Sequence, residues 1–201
     1  WYAMFCYWQY LTSALSLSLY GTLDQSTTYF NQAQILTGNL NGTYNIICFT
    51  IAFALIPIAR KLGAKRLHFI SLAIGGSALL CMPLLNDTDL LFTLPFGSGI
   101  DVSQIYLFSF GLGITWASMM AMPYEMLAAS IPHGKTGIYM GIFNMFIVVP
   151  MIIQIFSVQY FIYDLLDQNP INIIRLAGIF LIIGGIFSLF VSQPKPNETL
   201  V

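Results

Sequence analysis

The chain has 201 residues, of which 57% are hydrophobic, 15% aromatic and only 7% charged, and its mean hydropathy is +0.77. Soluble globular domains carry about 25% charged residues, so this composition excludes an ordinary water-soluble domain and indicates an integral membrane protein, whose main surroundings are the lipid bilayer. The net charge of -1 provides no basic surface for nucleic acid, and no such partner is expected.

Six mostly apolar stretches follow one another along the chain. Each has about 20 residues, the length with which a helix crosses a hydrocarbon core of about 30 Å. Continuous apolar runs lack the alternation of barrel strands, so the sequence predicts an all-α protein with six transmembrane helices. The predicted spans cover residues 1–20, 38–59, 67–85, 104–127, 137–161 and 172–191, and a short polar tail covers residues 192–201.

The first residue, Trp1, lies directly in an apolar span, with no initiator Met and no charged leader. This start predicts a fragment of a longer protein. Six spans followed by a short tail suit the C-terminal half of a twelve-span transporter, whose N-terminal six-helix half would be missing here. The alternative is a small six-span protein that lacks its first residues.

The loops predict the orientation. Four of the seven basic residues lie in one short loop after the second span, at Arg60, Lys61, Lys65 and Arg66. Basic loops face the cytoplasm, and the same threading places His133 and Lys195 on that side and both chain ends inside. Long connections at residues 21–37, 86–103 and 162–171 alternate with tight ones, which divides the spans into two units of three.

Polar side chains inside the spans are candidates for a binding site, since each is costly in lipid unless it faces a cavity or another helix. Gln9 lies near the middle of the first span beside Trp8, and Trp116 lies at a comparable depth in the fourth span. An amide next to a flat aromatic ring suits a ligand rich in hydroxyl groups. The alternative is that Gln9 only bonds a neighbouring helix and Trp116 only packs.

Further candidates lie on the second and fifth spans. Asn41, Tyr44 and Asn45 are three and four residues apart, which places them on one helical face. Asn45 is the stronger candidate for binding, because Asn41 lies close enough to the outer end to cap the helix instead. Asn144 on the fifth span either faces the site or packs against another helix.

Prolines and glycines interrupt several spans. Pro123 and Pro150 remove backbone hydrogen bonds inside apolar helices and are predicted to kink them. Glycines in spans most simply permit close helix contact, and this role is predicted for Gly75, Gly76, Gly111, Gly113, Gly184 and Gly185.

Three stretches of the sequence resemble one family of transporters. They are the basic, glycine-containing segment from Pro57 to Arg66, the run from Gly113 to Tyr124, and the run from Gly137 to Pro150. The first is similar to the loop between the second and third spans of each half in the major facilitator superfamily. The other two look like the tenth and eleventh spans of bacterial sugar transporters in its sucrose-transporter-like branch, akin to glycoside–cation symporters.

This resemblance implies the C-terminal six-helix half of a twelve-helix major facilitator fold in a bacterial inner (plasma) membrane. The implied function is secondary active transport of sugars, such as oligosaccharides or glycosides, by alternating access and coupled to a proton or another cation. The alternatives are a major facilitator transporter of another small solute and a non-transporting polytopic membrane protein.

The basic loop has two interpretations. Arg60, Lys61, Lys65 and Arg66 form a cytoplasmic gate if they pair with acidic groups such as Glu125 and with helix C-termini when that side is closed. The other interpretation is that the loop only sets the topology through the positive-inside rule.

Ionisable residues are missing from the middle of all six predicted spans. If transport is coupled to protons, the sequence therefore predicts that the proton-carrying carboxylate belongs to the missing half. No Walker-type phosphate loop and no His or Cys cluster with metal-ligand spacing is present in the sequence. We therefore expect no enzyme activity, no cofactor and no metal.

Overall fold

The computed structural model describes residues 1–95, 100–128, 130–132 and 134–192, so His133 and Lys195 lie outside the described residues. The chain is mostly helical, as the apolar runs predict. Its long helices are α1 (Tyr2–Tyr20), α2 (Thr28–Leu62), α3 (Ala64–Cys81), α4 (Tyr106–Ala128), α5 (Thr136–Ser157) and α6 (Pro170–Ser188). A 3₁₀ turn at Met82–Leu84 extends α3, and a π-helical turn at Val158–Ile162 followed by a helical turn at Tyr163–Leu165 extends α5.

Within the described residues, four helical segments are long and apolar enough to cross a membrane: Thr28–Leu62, Ala64–Leu84, Thr136–Leu165 and Pro170–Ser188. They contain α2, α3, α5 and α6. Large apolar side chains such as Phe49 and Phe146 are more than 60% exposed on these helices, as expected for surfaces that face lipid. The prediction of helices able to span a membrane is confirmed for these four segments. Helices α1 and α4 overlap the other two predicted spans, and the number of six spans stays a prediction.

Helix α2 begins ten residues before the predicted span at residue 38, so the predicted outer loop of residues 21–37 is wrong. Hydropathy marks only the apolar part of a helix, and the first turns of α2 are polar. The hydroxyl of Thr27 caps this helix by accepting a hydrogen bond from the backbone N–H of Phe30, at 3.2 Å. The loop shortens to residues 21–27, where hydrogen bonds from Ser26 lower the pKa of Asp24 below its usual range.

The connection between α3 and α4 contains a feature that the sequence interpretation missed. Strands β1 (Leu90–Leu94) and β2 (Ile100–Ser103) pair as an antiparallel hairpin. The side chain of Thr93 donates a hydrogen bond to Asp101 on the opposite strand, at 2.8 Å. The all-helical prediction therefore holds for the bundle but not for this hairpin.

The two ends of the bundle differ in what they carry. At the end with the Arg60–Arg66 loop, here called the basic end, the last turns of α2 and α4 pack with the start of α3 in a cluster that includes Leu55, Leu67 and Met126. At the hairpin end, the phenol of Tyr20 donates a hydrogen bond to Asp87, at 3.0 Å.

The packing of the helices repeats between the first three and the last three. If α1, α2 and α3 are matched in order with α4, α5 and α6, the α3–α4 contact corresponds to the α1–α6 contact, and the α2–α4 contact corresponds to the α1–α5 contact. The α3–α6 contact corresponds to itself. The repeat is not exact, because the α2–α4 contact is much more extensive than the α1–α5 contact, and because α1 and α2 pack more closely than α4 and α5 do.

Close helix contact at glycine is confirmed for most of the predicted positions. A Cβ on Gly76 would lie 2.6 Å from the carbonyl oxygen of Gly178, and a Cβ on Gly178 would lie 2.7 Å from that of Gly76. Thr115 fills the space beside Gly75 in the same way. Gly184 is the exception among the predicted positions, since nothing lies within 4 Å of a Cβ built there.

Candidate functional site

Two tryptophans that the sequence analysis selected are brought together. Trp8 of α1 packs edge-to-face on Trp116 of α4, with ring centroids 5.3 Å apart. Trp1 and Phe5 extend this cluster along α1, at 5.7 Å from Trp116 and 5.3 Å from Trp8 respectively. Trp8 and Trp116 are both half-buried, so their rings pack on each other and still present part of their surface.

Tyr44 of α2 joins the same cluster through hydrogen bonding. The indole N–H of Trp8 donates to the hydroxyl of Tyr44, at 3.3 Å. One turn earlier, the hydroxyl of Tyr7 donates to Oδ1 of Asn41, at 2.7 Å. Asn41 therefore lies inside α2 and bonds α1; the helix begins too far upstream for Asn41 to cap it.

Gln9 pairs with a residue that the sequence analysis did not select. Nε2 of Gln154 on α5 donates a hydrogen bond to Oε1 of Gln9, at 2.9 Å. Gln154 is 1% exposed, whereas Gln9 is exposed. Gln154 is an amide in an apolar span, which is the same signal that selected Gln9, and it would have been found if that rule had been applied to the fifth span.

Asn45 and Asn144 lie away from the tryptophan cluster. Nδ2 of Asn45 donates to the carbonyl oxygen of Asn41 in its own helix, at 2.7 Å, and Asn45 is exposed. Asn144 is exposed and accepts a hydrogen bond from the hydroxyl of Tyr124 on α4, at 3.3 Å. The structure thus brings together Trp8, Tyr44 and Trp116, pairs Gln9 with α5, and leaves the two asparagines on open surfaces.

The predicted gate residues cluster at the basic end. Arg60, Lys61, Arg66 and Glu125 are exposed, and Lys65 donates a hydrogen bond to the carbonyl oxygen of Val191, at 3.5 Å. The last residues described after α6 are thereby joined to the loop between α2 and α3. The hydroxyl oxygen of Ser188 also lies 3.3 Å from the carbonyl oxygen of Lys65, although its shorter hydrogen bond, at 2.6 Å, is donated to the carbonyl oxygen of Gly185 in its own helix.

The two prolines predicted to kink helices lie inside continuous helices, Pro123 in α4 and Pro150 in α5. In α5 the π-helical turn at Val158–Ile162 follows eight residues after the proline. An extra residue in a helical turn displaces the helix on either side of it, and such turns are frequent at functional sites. Helix α5 bonds α1 at Gln154 and Ser157, and the π-helical turn follows directly after these residues.

A buried histidine was not singled out by the sequence analysis. Nδ1 of His68 on α3 lies 2.9 Å from the hydroxyl oxygen of Ser118 on α4, and both side chains are buried. His68 also borders a cavity of about 410 Å³, whose other walls include Tyr2, Pro123, Phe146 and Phe180. This residue is an ionisable group inside the helix bundle, four residues after the start of its helix.

A second cavity, of about 730 Å³, lies between α2, α4 and the hairpin and is bordered by Gly42, Phe92 and Phe110. None of the predicted substrate-binding residues borders either of these two cavities. The predicted substrate-binding residues lie instead on the surfaces of α1, α2, α4 and α5, where most of them are exposed or half-buried. Residues on such surfaces suit a binding site that is completed by another protein surface.

Comparison of the chain with protein-family models, with curated proteins and with solved structures gave no match.

Proposed function

We propose that the chain is the C-terminal six-helix half of a major facilitator transporter that carries sugars, such as oligosaccharides or glycosides. The packing of the helices supports this proposal. Exchanging α1, α2 and α3 with α4, α5 and α6 carries the α3–α4 contact onto the α1–α6 contact and the α3–α6 contact onto itself, with α3 and α6 meeting at Gly76 and Gly178. Inverted repeats of three helices in each half of a major facilitator protein produce such a pattern.

The observation that carries the sugar assignment is the pairing of Trp8 with Trp116, beside the exposed amide of Gln9 in the same helix as Trp8. Two half-buried indole rings lie 5.3 Å apart, and the exposed amide of Gln9 follows Trp8 on the same helix. A sugar presents hydroxyl groups around its edge and C–H groups on its ring faces. Amide groups suit the hydroxyls, and aromatic rings suit the C–H faces.

The mechanism that we propose is alternating access, in which this half rocks against a second six-helix half around a site near the bilayer midplane. In this arrangement the basic end faces the cytoplasm of a bacterial cell and both ends of the chain are cytoplasmic. The coupling proton or cation is carried by the second half, and Arg60, Lys61, Lys65, Arg66 and Glu125 contribute to the cytoplasmic gate.

The test is uptake of labelled mono- and disaccharides by cells that express the full-length protein, with and without a protonophore. We expect accumulation of at least one sugar, sensitive to the protonophore, and a loss of about tenfold or more in Gln9→Ala, because its amide contacts the ligand directly. Thr50→Ala is the matched control, since Thr50 is an exposed polar residue of α2 whose hydrogen bond, among the described residues, stays within its own helix, to the carbonyl oxygen of Ile46.

Each alternative gives a different result. Accumulation of another solute would keep the transporter and reject the sugar. Failure to move any tested solute, with the protein verified in the membrane, would favour a non-transporting role. Equal uptake by Gln9→Ala and the unmutated protein would remove Gln9 from the site.

A further inference from the structure

Gln154 is buried on a helix that is otherwise open. All residues of α5 are described, and Gln154 is the only one of them that is buried. The apolar neighbours Ile153 and Ile155 are 53% and 45% exposed. The most polar side chain of this stretch is thus turned toward α1, and the apolar ones are turned away.

The hydrogen bond to Gln9 explains this arrangement. A buried amide that lacks partners is unfavourable in an apolar environment, and Nε2 of Gln154 gains one by donating to Oε1 of Gln9, at 2.9 Å. With Oε1 engaged, the group that Gln9 leaves free is its NH₂, which only donates. Since Gln9 is exposed, that donor faces the open side of α1.

We propose that Gln154 is a positioning residue that holds the amide of Gln9 with its NH₂ group toward the ligand. The site therefore recognises, at this point, an oxygen of the substrate that acts as a hydrogen-bond acceptor. This inference rests on the proposed function and adds to it the polarity of one contact. Gln154 itself touches Gln9 and not the substrate.

The test uses deoxy and deoxyfluoro analogues of the transported sugar as competitors for uptake by the full-length protein. A C–F group is a weak acceptor that cannot donate, whereas a deoxy position does neither. The relevant ring position is found by comparing two proteins. There the deoxy analogue competes poorly with the labelled sugar for uptake by the unmutated protein, whereas for Gln9→Ala it competes as well as the sugar itself does. There we expect the deoxy analogue to bind roughly five- to tenfold more weakly than the sugar, and the fluoro analogue to bind within about twofold of it. Equal weakening by both analogues would overturn the proposal, because Gln9 would then present its carbonyl oxygen.

Gln154→Met tests the positioning role, because methionine has a similar length and lacks the amide. Gln9 is then free to turn over, and the difference between fluoro and deoxy analogues should fall below about twofold while the maximal rate changes less. Ser157→Ala is the matched control. It removes another α1–α5 hydrogen bond, between the hydroxyls of Tyr2 and Ser157 at 2.7 Å, without touching Gln9, so the difference should persist.

Three further results would contradict this inference. If Gln154→Met keeps the full difference in binding between the fluoro and deoxy analogues, Gln154 does not orient Gln9. Loss of the difference in Ser157→Ala as well would assign the effect to general loosening of the α1–α5 contact. If Gln154→Met does not accumulate in the membrane, the analogue comparison on the unmutated protein still decides the polarity of the contact. Absence of any sugar uptake by the unmutated protein would reject the proposed function and this inference together, whereas the first two results reject the inference alone.

Discussion

Helices α3 and α6 are held together differently from α1 and α5. At the α3–α6 contact the backbones meet, since Gly76 and Gly178 each leave no room for a Cβ beside the other's carbonyl oxygen. At the α1–α5 contact the helices are joined through side chains, by the Gln9–Gln154 hydrogen bond and a second one between Tyr2 and Ser157. One contact depends on shape and the other on a few polar groups.

The difference shows how helices associate when the solvent is as apolar as they are. Lipid provides little hydrophobic drive between helices, so association relies on close van der Waals packing or on hydrogen bonds. Close packing requires contact along the whole interface and loses much when one position changes. Hydrogen bonds are local and can break and reform, which suits a helix that moves. In this structure α5 is the helix with the least buried surface among the candidate spans.

The largest effect is expected at the α3–α6 contact. Gly178→Ala places a methyl group 2.7 Å from the carbonyl oxygen of Gly76 and 2.9 Å from Cγ of Leu80, so the helices must separate. Overpacking of this kind costs about 1 to 3 kcal/mol, and we expect a loss of that size in the free energy of unfolding. Steric trapping of the protein in bicelles measures it.

Gly184→Ala is the control on the same helix. Nothing lies within 4 Å of its Cβ, and alanine has a better helix propensity than glycine by about 1 kcal/mol, so this change should be neutral or stabilising. If both variants lose the same stability, backbone contact is not what joins α3 to α6, and the contrast with α1–α5 disappears.

A smaller effect is expected for hydrogen bonds on the close-packed side of the bundle. Ser118→Ala removes the hydroxyl that lies 2.9 Å from Nδ1 of His68 and leaves this nitrogen buried without that partner. We expect a loss of about 1 kcal/mol in the free energy of unfolding. Ser109→Ala is the matched change on the same helix. The hydroxyl of Ser109 is buried without a hydrogen-bond partner among the described residues, so its removal should cost little or nothing. An equal loss in both variants would mean that the His68–Ser118 bond contributes no stability.

Much of the helical architecture was predictable from the sequence. Apolar runs of bilayer length can satisfy their backbone only as helices, and the six long helices follow the six runs in order. Hydropathy does not detect helical turns that are made of polar residues, so the first turns of α2 were interpreted as a loop. The hairpin at residues 90–103 was missed because residues outside the spans were given no secondary structure. Phe92 and Thr93 in β1 and Ile100 and Val102 in β2 are β-favouring residues that could have indicated the two strands.

The candidate site was predictable only in part. Polarity within a span selected Gln9, and aromatic character selected Trp8 and Trp116, but neither property says which helices face each other. The partners of Gln9 and Asn144, namely Gln154 and Tyr124, follow from the packing of α5 on α1 and α4. Spacing within one helix places residues on a face, and only the tertiary arrangement decides what that face meets.

The smallest effect is expected at the α1–α5 contact itself. Tyr2→Phe removes the hydroxyl that bonds Ser157 and keeps the ring, which packs on Phe180 at 5.2 Å. Hydrogen bonds between membrane helices contribute about 0.6 kcal/mol on average, so we expect a loss near that value in the same bicelle assay. Tyr10→Phe, whose ring packs on Tyr163 at 5.4 Å, should change less, because the hydroxyl of Tyr10 makes no hydrogen bond among the described residues and the ring contact is kept. A loss of about 2 kcal/mol or more in Tyr2→Phe would exceed what one average hydrogen bond between membrane helices contributes. It would mean that α5 is fixed to α1 as firmly as α6 is fixed to α3.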